Sequence, residues 1–416
     1  MLNIIDLFAG AGGLTEGFRS PDYNIIAHVE MDKAACDTLK LRELFYELKR
    51  TKQLDQYYNF ITGKIEYSEL LSYVDENQPS AVINATIGSE TIDTIIKQIN
   101  HSLKEKPVNG IIGGPPCQAY SLVGRKRNEA KKETDERIYL YEYYINFLKY
   151  YQPDFFLFEN VRGLLSFKDV DGKNLFEKIM DRFEHVSDNL SYRMESKLVD
   201  CSEYGVPQAR KRLIIFGQKK GSVKKYNFFE NLSEMEEPAP TIRELFEDLP
   251  SLHSGETHNE YNISDPCNFV KKNIRNLDVP LTQNVARSNR ASDLWIYRLA
   301  ARRRAEGKRF LYTDVPEARR TQKNTKGFLD RFKVVPYDNV SHTVVAHISK
   351  DGHYYIHPDI EQNRSITVRE AARIQTFPDD FYFMNTRTDA FKQIGNAVPP
   401  YIAKKFAKII AQHQII

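Results

Sequence analysis

Asn3-Ile-Ile-Asp-Leu-Phe-Ala-Gly-Ala-Gly-Gly-Leu-Thr-Glu-Gly-Phe18 decides how the rest of the chain is read. The apolar run Asn3–Phe8 predicts a first strand, and Ala9–Gly13 a turn of small residues opening a helix. Glycines in that place let the backbone turn tightly and approach a ligand at a helix N-terminus. Asn24-Ile-Ile-Ala-His-Val29 predicts a second strand that ends on Glu30. An acidic residue there is placed to accept hydrogen bonds from ribose hydroxyls. Together these features point to a nucleoside-containing ligand without separating a nicotinamide dinucleotide from S-adenosylmethionine. A turn that binds nothing has the same local pattern.

Working outward, short apolar runs alternate with helical patterns through about residue 220, which predicts an α/β fold with a mostly parallel sheet. Leu41, Leu44, Phe45 and Leu48 have the i, i+3, i+4, i+7 spacing of a helix. Further strands are expected at Gly110–Gly113, Asp154–Phe158 and Leu213–Phe216. From about 220 to 360 the periodicity breaks down, as in a second, smaller domain. Pro399-Pro400 should start a last helix whose Ile402, Phe406, Ile409 and Ile410 form one apolar face. The expected division is 1–225 with 388–416 as one domain and 226–387 as the other.

The formal charge of +3 conceals two opposed blocks. Residues 229–261 hold nine acidic residues against one basic, whereas 287–333 hold fourteen Lys/Arg against five acidic, a net +9. The basic block is a candidate phosphate-binding surface; a solvated helical face is the competing reading. The acidic stretch is expected to face away from such a partner. Met1-Leu-Asn-Ile-Ile-Asp6 leads straight into the first strand without a signal-peptide pattern. No run of 18 apolar residues predicts a membrane span. The four cysteines are scattered with no CxxC pair, which argues against disulfides or structural zinc and for a reducing cytoplasm.

Cys117 stands apart from the other cysteines. It follows a strand end in a loop stiffened by Pro115 and Pro116, and strand ends at the carboxyl edge of such a sheet are where ligands bind. Glu159, at the end of the next strand, is a candidate acid partner. Cys36, in a helical pattern, reads as a small buried hydrophobe.

These residues carry a resemblance. Asp6–Phe18 is similar to the cofactor motif of DNA (cytosine-5) methyltransferases, Gly113-Gly-Pro-Pro-Cys-Gln-Ala-Tyr-Ser121 to their catalytic motif, and Glu159-Asn-Val161 to their glutamate motif. Gln208-Ala-Arg-Lys-Arg212 resembles their paired-arginine motif. Arg364–Asp379 and Gln393-Ile-Gly-Asn-Ala-Val-Pro-Pro400 resemble the two C-terminal motifs; Asp135, Arg137 and Leu140 fit a weaker one. The motifs keep the family's order from residue 6 to 400. The resemblance implies a Rossmann-like S-adenosylmethionine-dependent methyltransferase domain with a smaller irregular target-recognition domain, methylating C5 of cytosine in duplex DNA. Cys117 would add to C6 of a flipped-out base, Glu159 would serve its N3, and Arg212, with Arg210 beside it, its O2. Arg125, Lys126 and Arg127 are candidates for favouring the thiolate, and Gly124 for letting the loop close. Phe8, Ala11, Gly13, Glu30, Met31, Ile87, Pro116, Leu140 and Asn396 would surround the cofactor, with Met31 on the adenine. No metal is expected. By analogy the chain is a monomeric bacterial modification enzyme, with a restriction endonuclease acting on the same site.

The sequence departs from the family pattern in three places. Asn84-Ala-Thr-Ile87 stands where an acidic residue near the adenine is usual, Asn109 replaces a common aspartate, and the stretch 49–83 is longer than the family needs. Three other functions fit part of the pattern: an RNA-modifying relative, a catalytically silent DNA binder, and a nicotinamide-dependent dehydrogenase. Intact Cys117, Glu159 and Arg212 speak against the second, and the dehydrogenase leaves the Pro-Pro-Cys-Gln loop without a role.

Overall fold

A computed structural model describes residues 1–75, 81–116, 120, 135–221, 226–262, 265–276, 278–322 and 325–414. Its centre is an eight-stranded sheet in the order β3-β2-β1-β4-β5-β9-β7-β6. The strands are β1 Leu2–Leu7, β2 Tyr23–Glu30, β3 Val82–Asn84, β4 Gly110–Gly113, β5 Phe155–Val161, β6 His185–Ser187, β7 Leu190–Asp200 and β9 Lys211–Lys219. The short β8, Gln208–Ala209, pairs instead with β10, Ser341–His342. β3, β2, β1, β4 and β5 run parallel, and β9 turns antiparallel to β5. The sheet is therefore less uniformly parallel than expected, because β9 lies antiparallel between β5 and β7 and the β6–β7 hairpin forms the edge.

The strands read as near-continuous apolar runs because both faces of the sheet are covered. Side chains alternate between them. Ile5, Leu7, Ile111, Phe156, Phe158, Leu213 and Ile215 join one core, under helices Ile92–Leu103, Leu140–Tyr151 and Leu175–Glu184. Ile4, Ile112, Phe155, Leu157, Ile214 and Phe216 join the other. There Ile402, Phe406, Ile409 and Ile410 of helix Pro400–Gln414 supply the expected apolar face. Phe228 and Leu232 belong to this second core, so the sheet's packing continues past the expected boundary at 226.

Further cores lie beyond the sheet. One draws residues from 242–281 and 335–397 and reaches Ala11 of the glycine turn; another is built around Ile296, Tyr297, Tyr312 and Phe332. The acidic stretch does not lie wholly on the surface. Asp248 is fully buried between Arg275, at 2.9 Å, and Arg373, which also pairs with Asp379 at 2.6 Å. The extra stretch 49–83 has a structural use. Its helices Leu54–Ile61 and Tyr67–Leu71 pack on Phe45, Tyr382 and Met384, and Tyr57 donates to the Asp380 carbonyl at 2.7 Å. No helix among the described residues is long and apolar enough to cross a membrane.

Beneath the glycine turn, Asp6 is fully buried, accepting from the Thr15 hydroxyl and facing His28. Burial pushes its carboxyl up to about 7; Glu30 adds to the rise, while Thr15 and Arg19 oppose it. Burial holds His28 well below its ordinary value, so it stays neutral. The folded state thus keeps the Asp6 proton at pH values where the unfolded chain has lost it. The stability this confers is fully present below about pH 4 and is lost as pH rises through about 7. The full span is worth about 4 kcal/mol. Asp6→Asn should remove that pH dependence, read as a wild-type minus variant unfolding free energy that falls between pH 5 and 8. A constant difference would contradict it.

Candidate functional site

The order of strands reverses beside β1: the chain goes to β2 on one side and to β4 on the other. In open α/β sheets ligands bind outside the carboxyl ends of the strands at such a point. Four of the expected site segments end there.

The first is the glycine turn. Phe8, Gly10 and Gly12 all have positive φ, of 58°, 56° and 81°. For Phe8 this is a strained backbone of the kind kept at ligand sites. The turn is closed from behind by the C-terminal segment: a Cβ on Gly13 would lie 2.4 Å from the Val398 carbonyl. Glu30, ending β2, accepts from the Gly10 N–H at 2.8 Å and the Asp32 N–H at 2.7 Å. Burial raises its carboxyl above the usual range even with these donors. Met31 beside it is 59% exposed, whereas Ile87 is buried. Asn84, where the family's acidic residue was missing, donates to the Glu30 and Met31 carbonyls, both at 3.1 Å. It braces the β2 end. Helix Arg387–Asn396 reaches this edge through a Lys392–Asp32 ion pair and leaves Asn396 exposed.

The second and third segments are the ends of β4 and β5. Gly113, at φ 137°, approaches so closely that a Cβ would fall 1.9 Å from the Leu7 carbonyl; at Gly114 it would fall 2.2 Å from that of Glu159. Side chains at either position would push the loop off the site. Pro115 is buried and Pro116 half-buried. Cys117 itself, with Gly124, Arg125, Lys126 and Arg127, lies outside the described residues. After it, Tyr120 is fully buried, donates to the Ile138 carbonyl at 2.6 Å and meets Phe167 edge-on. No apolar period marked Tyr120 in the sequence. Leu140 is half-buried at the start of its helix. Of the other cysteines, burial pushes the Cys36 and Cys201 thiols up to about 12 and raises Cys267 as well. None of these three is disposed to form a thiolate near neutral pH.

The fourth segment separates the two arginines. Val161 of β5 is opposite Arg212 of β9, which sets Glu159 and Arg212 diagonally on one face. Arg212 Nε meets Glu159 Oε1 at 2.8 Å, both side chains being only 12–15% exposed. Arg210, expected to share this role, points elsewhere. It is fully buried and donates to the Val344 carbonyl at 2.8 Å and the Ala397 carbonyl at 2.7 Å. The pairing of β8 with β10 turns Arg210 into the core, so it clamps the C-terminal segments rather than facing the cleft. The sequence did not mark the glutamines behind it: Gln208 accepts from Arg210 at 3.5 Å and donates to Gln375 Oε1 at 2.6 Å, and Gln375 donates to the Ile394 carbonyl at 2.6 Å. The two glutamines, one opening the arginine motif and one among the buried charges of Arg364–Asp379, were the available signal.

A reversed strand order with a glycine turn, a strand-end acid and paired Glu159–Arg212 at the same edge defines a Rossmann-like methyltransferase. The chain belongs to the C-5 cytosine-specific DNA methylase family, whose sequence profile matches residues 2–63 and 76–412. It is a DNA (cytosine-5) methyltransferase. The gap in the match, 64–75, contains the helix Tyr67–Leu71 of the added stretch. The type II methyltransferase M.Bpa9945I of Bacillus paralicheniformis is 39% identical over 98% of each chain. M.DdeI of Desulfomicrobium norvegicum is 30% identical over 99% of this chain and 88% of its own. Among solved structures, a DNMT2 from Spodoptera frugiperda shares the fold with a TM-score of 0.53 at 14% identity, covering 99% of each chain.

Proposed function

We propose that the enzyme takes a methyl group from S-adenosylmethionine and places it on C5 of a cytosine flipped out of a specific duplex DNA sequence, with Cys117 bonding transiently to C6. One observation carries the reading: the glycine turn, the Gly113–Pro116 end of β4 and the Glu159–Arg212 pair share one edge of the sheet.

The residues beside β1 and β2 fit the cofactor. Each Glu30 oxygen accepts one backbone N–H and keeps capacity for a ribose hydroxyl. Donors from the ribose would also favour the buried carboxylate. Met31 offers exposed thioether and methylene surface to the adenine, and the buried Ile87 would add to the apolar lining. Phe8, Ala11, Gly13, Pro116, Leu140 and Asn396 complete the proposed lining. When bound, S-adenosylmethionine supplies an electrophilic methyl group to C5.

Cytosine C5 carries too little electron density to take that group unaided, so covalent catalysis divides the step. The Cys117 thiolate adds to C6, and Glu159 holds a proton at N3, where the displaced electron pair collects. Arg212 orients the base at O2 and fixes Glu159. C5 takes the methyl group with S-adenosylhomocysteine as the leaving group, and the N3 proton returns to Glu159. Water then takes the C5 proton, and the electron pair that re-forms the C5–C6 double bond expels the thiolate. Reaching the base costs the few kcal/mol of unstacking that base-modifying enzymes of this kind meet. The basic block 287–333 holds the duplex by its phosphates while recognition residues read base edges. The relatives are type II methyltransferases; by analogy the reading extends to a monomeric cytoplasmic modification enzyme whose sites a cognate endonuclease would cut.

Tritiated methyl transfer tests this reading. Duplex DNA should be labelled and tRNA not. Glu30→Ala should raise the KM for S-adenosylmethionine by tenfold or more and leave DNA affinity unchanged. Labelled tRNA with unlabelled DNA, or an unaltered KM, would count against it.

A further inference from the structure

A cavity of about 470 Å³ opens where the recognition region meets β8 and β10. Ala209 of β8 and Ser341 and His342 of β10 form one wall. Ala209 is one residue from the Arg210 clamp and three from Arg212, so the strand segment that carries the base contact also borders the cavity. The opposite wall is the end of helix Ala291–Ala305 with the chain that follows it.

The lining is strongly cationic. Arg304, Lys308, Arg309 and Lys333 face it, against the single carboxylate of Asp330. His342 adds no charge, because burial, reinforced by Lys333, pushes it down to about 3. Lys308 is paired with Glu306 at 2.7 Å. The exposed guanidinium groups of Arg304 and Arg309 have no ion-pair or hydrogen-bond partner among the described residues. Burial lowers the Lys333 ammonium; Asp330 opposes this, while Arg304 and Arg309 push it lower still. Cations that repel one another at a concave surface, with so little acid to neutralise them, are arranged for an anion from outside.

We propose that this cavity seats the phosphate backbone of the DNA strand beside the target cytosine, with Arg304, Arg309 and Lys333 as its anchors. The inference rests on the reading of duplex DNA as substrate and narrows the basic block to one subsite. Phosphate contacts fix the register of a protein on DNA without reading sequence. Anchors that share the cavity with Ala209, three residues before Arg212, would therefore set where the base enters. The remaining basic residues of the block are partly engaged elsewhere: Arg303 with Asp314 at 3.6 Å, and Arg320 with the Val315 carbonyl at 2.9 Å.

The test uses the full chain and the double variant Arg304→Ala/Arg309→Ala. Both side chains are exposed, so folding should be unaffected. Fluorescence anisotropy on a cognate and an unrelated duplex, over a series of salt concentrations, gives the slope of log affinity against log salt. Two lost phosphate contacts should reduce that slope by about 2. Affinity at low salt should fall tenfold or more on both duplexes alike. Lys104→Ala/Lys106→Ala, at the opposite edge of the sheet before β4, should leave the slope unchanged. An unaltered slope in the first variant, an equal change in the control, or a loss confined to the cognate duplex would each overturn the proposal. Methyl transfer by the wild type is measured separately. If it labels no duplex DNA, the substrate reading fails, and the salt slopes still report on the cavity.

Discussion

Cys117→Ala should reduce methyl transfer by on the order of 10³-fold or more while S-adenosylmethionine binding survives. The loss should be that large because no second thiol can stand in. Cys36 is packed against β2 with its thiol pushed up to about 12, and Cys201 is equally deep under the second core. Binding should survive because the proposed cofactor contacts at Glu30, Met31 and Asn396 belong to other segments. Single-turnover methylation and equilibrium binding of labelled cofactor separate the two effects. Residual transfer within tenfold of wild type would remove Cys117 from the nucleophile's role. Loss of cofactor binding would instead make it part of the cofactor site.

The second large effect concerns stability. Asp248→Ala should cost about 3–5 kcal/mol, because it leaves two buried guanidinium groups short of their counter-ion. Arg373 would keep Asp379, whereas Arg275, stacked on the Tyr261 ring 3.5 Å from its centroid, would lose its 2.9 Å ion pair. These residues join 242–275 to 364–379, the segment that carries Gln375 and through it the Arg210 clamp. Denaturant unfolding measures the loss; a change under 1 kcal/mol would mean that the buried network is not holding those segments together. Asp248→Asn, which keeps two polar atoms in place, should be milder.

The central sheet was legible because its signals are local. β1, β2 and β4 are short apolar runs ended by residues with a positional meaning: Phe8 before the glycines, Glu30, and Gly113-Gly114. The last helix was announced by Pro399-Pro400 and its apolar face. What the sequence hid depends on distant contacts. β7 mixes Arg193, Glu195 and Lys197 with apolar residues, since much of it is only half-buried, and so it lacked a clean strand pattern. Its hairpin makes the sheet mixed rather than parallel. Arg210 and Arg212 are two residues apart and look equivalent in the chain. The β8–β10 pairing, across more than 130 residues, buries the first and leaves the second on Glu159. Asp248 likewise reads as one more charge in an acidic run, and only its meeting with Arg275 and Arg373 explains its burial. In the stretch 49–83, of which only 64–75 falls outside the family match, the role of Tyr57 depends on the Asp380 carbonyl more than 320 residues away.

A duplex carrying 5-fluorocytosine at the target position gives the most direct measurement. Fluorine cannot leave C5 as a proton does, so the methylated adduct cannot expel the thiolate. With S-adenosylmethionine present, the wild-type enzyme should form a stable covalent complex with this duplex, seen as a shifted band under denaturing conditions and mapped by mass spectrometry to the peptide containing Cys117. Absence of that complex from an enzyme that methylates ordinary cytosine, or attachment through another residue, would contradict the account.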